Sequence, residues 1–210
     1  MNHSRDPKPS LCGALAVLVT LAALGGSDGF AQRPGGGRGG FRGFGGSDSG
    51  SLTSTEGGVP VNETTVRTAR ETVSHSTGTP EWSNPAGFEK DVFTFARVLY
   101  KPKFGFRGYR ASWMGWLNDY PDSDLNLSWR LQQLTSMKVD PDGRVLRLTD
   151  SDLGDYPFIY MVKAGRVELR DEEVPILRKY LLNGGSLMAD DFWGVAEWAI
   201  FEDESKRLLP

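Results

Sequence analysis

The stretch Asn183-Gly184-Gly185-Ser186-Leu187-Met188-Ala189-Asp190-Asp191-Phe192-Trp193-Gly194 decides the fold. It reads as a helix stop, a short buried strand, and two adjacent carboxylates where the strand ends. A glycine after a helical pattern supplies the left-handed C-cap position. In an open α/β sheet, ligands bind just beyond the carboxyl ends of the strands. Asp190, Asp191 and Trp193 are therefore candidate ligand-binding residues. Successive strand side chains point to opposite faces, so both carboxylates reach one ligand only if the strand has already ended.

Working outward, Asp171-Glu172-Glu173 opens a helix with acids in its first turn, where the dipole favours them. Val174, Leu177, Tyr180 and Leu181 form its inner face. On the other side, Val195 to Leu208 has a helical pattern with Ala196, Trp198, Ala199, Ile200 and Phe201 apolar. Phe158-Ile159-Tyr160-Met161-Val162 is a continuous apolar run, as expected of a strand buried on both faces. Before it, Asp140-Pro141-Asp142-Gly143 signals a turn, and Arg144 to Leu148 alternates like an edge strand. Only Thr149–Pro157 joins these two strands, whereas parallel neighbours usually need a dozen or more residues. Nine residues at about 3.3 Å each reach roughly 30 Å. A parallel crossover fits, and an antiparallel pairing stays open.

Asp91 to Tyr100 is the first strand, alternating and rich in β-branched and aromatic residues. A helix follows from about Ser123 to Met137, with Asp122 or Ser123 as cap and Asp124 at the positive end of the dipole. Leu127, Leu131 and Leu134 form its apolar stripe, extended by Trp129. Between strand and helix, Lys101 to Asn118 reads as a long aromatic loop carrying Trp113 and Trp116. About four strands and three helices in roughly 120 residues make an open, mostly parallel α/β sheet of typical element lengths. The sheet is partial and has an exposed edge. Further sequence, or a second subunit in an oligomer, would cover that edge.

Residues 1–31 look like a secretory signal: Arg5 and Lys8, an uncharged apolar run of 14 residues from Leu11 to Leu24, and Gly29-Phe30-Ala31 before Gln32. The run is short for a span of roughly 20 residues. Export to the periplasm or cell envelope is expected, with membrane attachment only if the segment stays uncleaved. Residues 32–88 are Gly-, Ser- and Thr-rich and read as a disordered linker, with a short helix around Glu63–Val73 as an option. The α/β domain then spans 89–210.

The formal net charge is −3 and implies no nucleic-acid partner. The single cysteine, Cys12, lies in the signal, and the two histidines, His3 and His75, fall in the signal and the linker. The domain then has no Ser–His or Cys–His catalysis and no His-ligated zinc. No phosphate loop of Walker type and no glycine fingerprint after the first strand is present, and no cofactor is indicated. Asp122, Asp124 and Asn126 match the opening of a calcium loop. The match fails at Leu127, where glycine is required, and at Gln133. No metal ligand set is assigned. Asp119, Tyr120, Asp122 and Asp124 remain as candidates for helix capping or for lining a ligand site. Asp150, Asp152 and Asp155 fit a turn.

Four segments resemble the domain-of-unknown-function family 4159. They are Phe93–Val98, Asp119–Leu131, Asp155–Met161 and Gly184–Gly194. The resemblance implies a flavodoxin-like three-layer sheet, similar to class I glutamine amidotransferases and trehalose-utilisation-type proteins, and a chain shorter at its C-terminus than the family domain. Amidotransferases place a cysteine nucleophile after a central strand, and none stands here, so that chemistry is not carried over. Two functions stay open. One is an exported domain binding a carbohydrate or protein partner through Asp119, Tyr120, Asp190, Asp191 and Trp193. The other is a carboxylate-based, metal-assisted or metal-free hydrolase of carbohydrate using Asp119 with Asp190 or Asp191.

Overall fold

The computed structural model describes residues 52–75, 78–88, 91–103 and 115–209. Its elements are β1 (Leu52–Ser54), β2 (Pro60–Asn62), β3 (Ala96–Val98), α1 (Asp122–Leu134), β4 (Arg144–Leu146), β5 (Phe158–Val162), α2 (Glu173–Leu182), β6 (Ser186–Asp190) and α3 (Gly194–Leu208). The proposed signal segment and residues 32–51, along with most of the aromatic loop including Trp113, lie outside the described residues. Among those described, no helix is long and apolar enough to cross a membrane.

The main sheet has the order β4–β3–β5–β6, with every neighbouring pair parallel. In order of appearance this is second, first, third, fourth, the flavodoxin-like arrangement. The ten-odd residues from β4 to β5 do cross back in parallel, carrying only a single 3-10 turn at Leu153–Asp155. The β3–α1–β4 and β5–α2–β6 crossovers run in opposite directions across the sheet, and the right-handed rule for such units assigns α1 and α2 to opposite faces. The core is built where these layers meet, on Ala96, Val98, Leu146, Ile159, Met161 and Leu177, each 1 % exposed or less.

The first strand is shorter than its alternation suggests: ladder pairing covers Ala96–Val98, preceded by a single bridge from Phe93 to Val139. Two helix faces are also rotated from expectation. On α1, Leu127 and Leu134 are 42 % and 79 % exposed, while Asp124, Leu125 and Ser128 are buried. The cause is Arg97, a fully buried cation in the middle of β3 that must be answered from the helix above it. On α3, Val195 and Trp198 face solvent while Glu197, Glu204 and Leu208 are buried. There Glu197 pairs with Arg166 and Glu204 with Arg207, at 2.7 and 2.5 Å. Apolar periodicity cannot register a helix whose inner face is set by ion pairs.

The described part of the segment expected to be linker packs on the domain instead. Residues 52–75 and 78–88 lie against the domain, with Val61, Val66 and Ala69 buried in its core. The β4 edge needs a partner for its outward backbone groups, and the segment supplies one: Val145 N–H donates to the Arg67 carbonyl at 2.7 Å. Ala69 N–H donates to the Asp142 carbonyl, and the Trp82 indole N–H to that of Val139. Low apolar content is offset here by backbone pairing, which composition does not reveal. The option of a helix at 63–73 reduces to a 3-10 turn at Ala69–Glu71. At the opposite edge, no strand among the described residues pairs with the outer side of β6.

Glycines at the α2–β6 junction permit the tight reversal. Gly184 is left-handed at φ 98°, and a Cβ on Gly185 would fall 2.3 Å from the Tyr180 ring. The expected helix stop is therefore also a packing contact.

Candidate functional site

In this strand order, β3 and β5 are neighbours whose connections leave in opposite directions, which opens a crevice beyond their carboxyl ends. Tyr100, just after β3, bridges that gap: its hydroxyl lies 2.8 Å from the Val162 carbonyl and 2.9 Å from that of Lys163. Burial raises the Tyr100 pKa well above its ordinary value, so it stays a donor. The carbonyl it holds belongs to a residue in an unusual conformation.

Among the described residues, three non-glycine residues adopt left-handed backbone: Asp119 at φ 57°, Lys163 at 53° and Asp191 at 63°. Such conformations are disfavoured for residues with a Cβ, and they gather at functional sites when the surroundings enforce them. Here they meet. Lys163, directly after β5, places Nζ 2.6 Å from Asp191 Oδ2. The Asn118 side-chain amide donates to Asp119 Oδ2 at 2.7 Å and to Asp191 Oδ2 at 3.3 Å. The two carboxylate oxygens are therefore no more than about 6 Å apart. Trp193 donates its indole N–H to Asp191 Oδ1 at 2.6 Å and lies under the Lys163 ammonium, 4.9 Å from the ring centre.

Each part has a local cause. β6 ends at Asp190, whose Oδ1 accepts the Asp191 N–H at 2.7 Å and whose Oδ2 accepts the Tyr160 hydroxyl. This bond turns Asp191 out of the strand, so the two adjacent carboxylates have separate jobs. The Trp193 N–H donates to Glu197 Oε2 at 2.8 Å, which anchors the start of α3. Glu197 can approach because Gly165 has no side chain: a Cβ there would lie 2.4 Å from the Glu197 Cβ.

Asn118 and Asp119 are held from below by Arg97. Its guanidinium donates to both Asp124 oxygens at 2.9 and 3.0 Å, to the carbonyls of Trp116 and Asn118 at 2.7 and 3.1 Å, and to the Ser123 hydroxyl. It also stacks between the Tyr120 and Tyr160 rings. Burial alone would lower the Arg97 pKa, but the adjacent Asp124 carboxylate outweighs it and the value is raised.

Seven residues were candidates from sequence. The structure brings Asp119, Asp191 and Trp193 into one cluster, with Asp190 behind it. It turns the others to internal partners. Tyr120 is fully buried and donates to the Thr68 carbonyl at 2.9 Å. Asp124 pairs with Arg97. Asp122 is 5 % exposed and accepts from the Ser74 hydroxyl, the His75 N–H and His75 Nδ1, the last at 2.7 Å. His75 therefore belongs to the folded part, contrary to its expected place in a linker. Lys163 and Asn118 were missed. The available signal was positional, since Lys163 is the first residue after the central buried run.

Among the described residues, no three His, Cys, Asp or Glu side chains are placed to hold a metal ion. Two clefts, of about 430 and 520 Å³, lie at the opposite end of the sheet, beside Gly185 and beside Thr94 and Phe158. They line the amino ends of the strands and contain none of the strained residues. The carboxyl-end cluster is the better candidate because parallel sheets direct ligands there.

These features define an open parallel α/β domain with a charged, conformationally strained cluster at its topological switch point. The chain belongs to the domain-of-unknown-function family DUF4159, whose model matches residues 94–210. No curated protein matches it.

Proposed function

We propose that this is an exported ligand-binding domain with its site at the carboxyl ends of β3, β5 and β6, sharing the amidotransferase-like architecture without amidotransferase chemistry. The convergence of Asp119, Lys163 and Asp191, all left-handed, carries the reading. Three costly backbone conformations in one cluster are retained where they serve a purpose beyond folding. Screening the full chain against a fragment library by NMR tests it. Ligands should shift the signals of Asn118, Lys163 and Asp191, and Lys163→Ala should abolish binding with the fold intact. Binding only at the amino-end clefts, or no loss in the variant, would sink the assignment. For export, the processed chain should begin at Gln32 after expression in a bacterial host; retention of residues 1–31 in the cytoplasm counts against it.

A second reading is favoured by the carboxylate spacing. Two carboxyl groups about 5–10 Å apart can act as an acid–base pair in hydrolysis, and the Asp119 and Asp191 oxygens, no more than about 6 Å apart, do not exceed that range. Turnover of a panel of chromogenic substrates, lost in both Asp119→Asn and Asp191→Asn, would support it. Activity persisting in both variants would remove it.

A further inference from the structure

Trp193 is 68 % exposed yet held at several points. Its indole N–H is bonded to Asp191, its backbone N–H to Glu197, and one face carries the Lys163 ammonium. Solvent-exposed apolar rings are ordinarily mobile, and immobilising one without burying it gains little for folding. A fixed exposed ring does reduce the ordering cost of whatever stacks on it. At its N–H edge stands the Asp191 carboxylate, with the Asn118 amide and the exposed Asp119 carboxylate beyond it and the Lys163 ammonium over the ring.

The charges decide between ligand classes. A cation would meet Lys163 over the ring, and an anion would meet Asp119 and Asp191 within a few ångströms of each other. A neutral ligand with an apolar face and hydroxyls around its rim uses all of these groups: its ring stacks on the indole, while its hydroxyls donate to carboxylates and accept from the amide and ammonium. Building on the binding reading above, we infer that the ligand is a neutral saccharide whose pyranose ring stacks on Trp193. Trp193 is then the affinity-determining residue, and Asp119 and Asp191 choose among hydroxyl configurations.

The test uses the full chain, with cellotetraose, maltotetraose and N-acetylchitotetraose as neutral probes and tetragalacturonate and AMP as charged ones. Indole N–H signals are followed by NMR, with assignment of Trp193 from its substitution. At least one neutral saccharide should shift the Trp193 indole signal. Trp193→Ala should weaken that binding at least tenfold, Trp193→Phe should retain most of it, and Trp198→Ala, outside the cluster, should leave it unchanged. If only charged probes or non-saccharide fragments shift Lys163 and Asp191, the saccharide assignment is overturned and the site stands. If no probe or fragment shifts any residue of the cluster, both fall. Equal weakening by Trp193→Ala and Trp198→Ala would also overturn the stacking role.

Discussion

Asp124→Ala isolates the least expected feature of the fold, a charge pair inside the sheet–helix layer. The Arg97 guanidinium is 0 % exposed and the Asp124 side chain 2 %. Removing the carboxylate leaves the cation with only the Trp116 and Asn118 carbonyls and the Ser123 hydroxyl. Breaking one partner of a buried pair typically costs about 3–5 kcal/mol, a large part of the roughly 5–15 kcal/mol that holds a domain folded. At roughly 2–4 °C per kcal/mol for a chain of this size, Tm should fall by about 6–20 °C. Urea denaturation monitored by near-UV circular dichroism measures the loss directly, and an unchanged m-value confirms that the folded state is comparable. The companion Arg97→Met/Asp124→Leu removes both charges and should recover to within about 1–2 kcal/mol of the parent. It should not recover ligand binding, since the carbonyl of Asn118 loses the donor that positions it. A loss below about 1 kcal/mol in Asp124→Ala would show that water reaches the pair. A double variant no more stable than the single would refute the uncompensated-charge argument itself.

Other perturbations probe separate joints. Gly165→Ala would place a Cβ 2.4 Å from the Glu197 Cβ and 2.8 Å from its carbonyl oxygen, so it should cost about 1–3 kcal/mol by urea unfolding; a change under about 0.5 kcal/mol would mean that α3 yields freely. Burial raises Tyr180 to about 12 and also raises Tyr100, Tyr120 and Tyr160. The neutral phenols are the folded form, so their contribution is complete below about pH 10 and is lost as pH rises through the folded pKa values. Stability measured from pH 9 to 12 should decline over that window, and less steeply in Tyr180→Phe; a flat profile contradicts the burial. His75→Ala removes the contact at Asp122, and hydrogen exchange at residues 66–75 should quicken by about two- to fivefold, the equivalent of roughly 0.5–1 kcal/mol, with β5 and β6 unaffected. Uniform acceleration across the sheet would instead make His75 part of the global core.

The sheet was legible in the sequence because its strands are coded redundantly. Phe158–Val162 is apolar throughout, and Asn183-Gly184-Gly185 both stops α2 and admits Tyr180 against the backbone. Helix registers were not, because Asp124 and Glu197 are buried against partners far away in sequence and Glu204 against Arg207 one turn along its own helix, and periodicity weighs only hydrophobicity. The docking of residues 52–75 rests on two backbone hydrogen bonds, on side-chain bonds such as Tyr120 to the Thr68 carbonyl and Arg70 to that of Pro141, and on three small apolar residues, a pattern to which composition is blind. Among site residues, Asp191 and Trp193 stood out as polar and aromatic groups at a strand end. Lys163 did not, since nothing in its neighbours signals a left-handed backbone. Its carbonyl is bonded by the Tyr100 hydroxyl, which arrives from the segment just after β3.

The two ion pairs that frame the crevice differ in a way that separates support from function. Arg97 has its donors committed to protein acceptors and no exposed surface, so it has nothing to offer a ligand. Its role is to fix the segment that presents Asn118 and Asp119. Lys163 and Asp191 are 11 % and 29 % exposed, and both occupy left-handed backbone that ordinary packing would avoid. A pair built only for stability could have been formed from unstrained positions, as Arg144 does with Asp150 and Asp152 on the edge strand. Strain at both partners, in contact with solvent and beside a fixed indole, is what the proposed binding role accounts for, since there the positions of the ammonium and carboxylate matter more than the stability they cost. The proposed site draws on β3, β5 and β6 together, with Arg97 bonded to the Asn118 carbonyl, Tyr100 to that of Lys163 and Glu197 to the Trp193 N–H. Substitutions at those three supports should impair binding without touching the ligand.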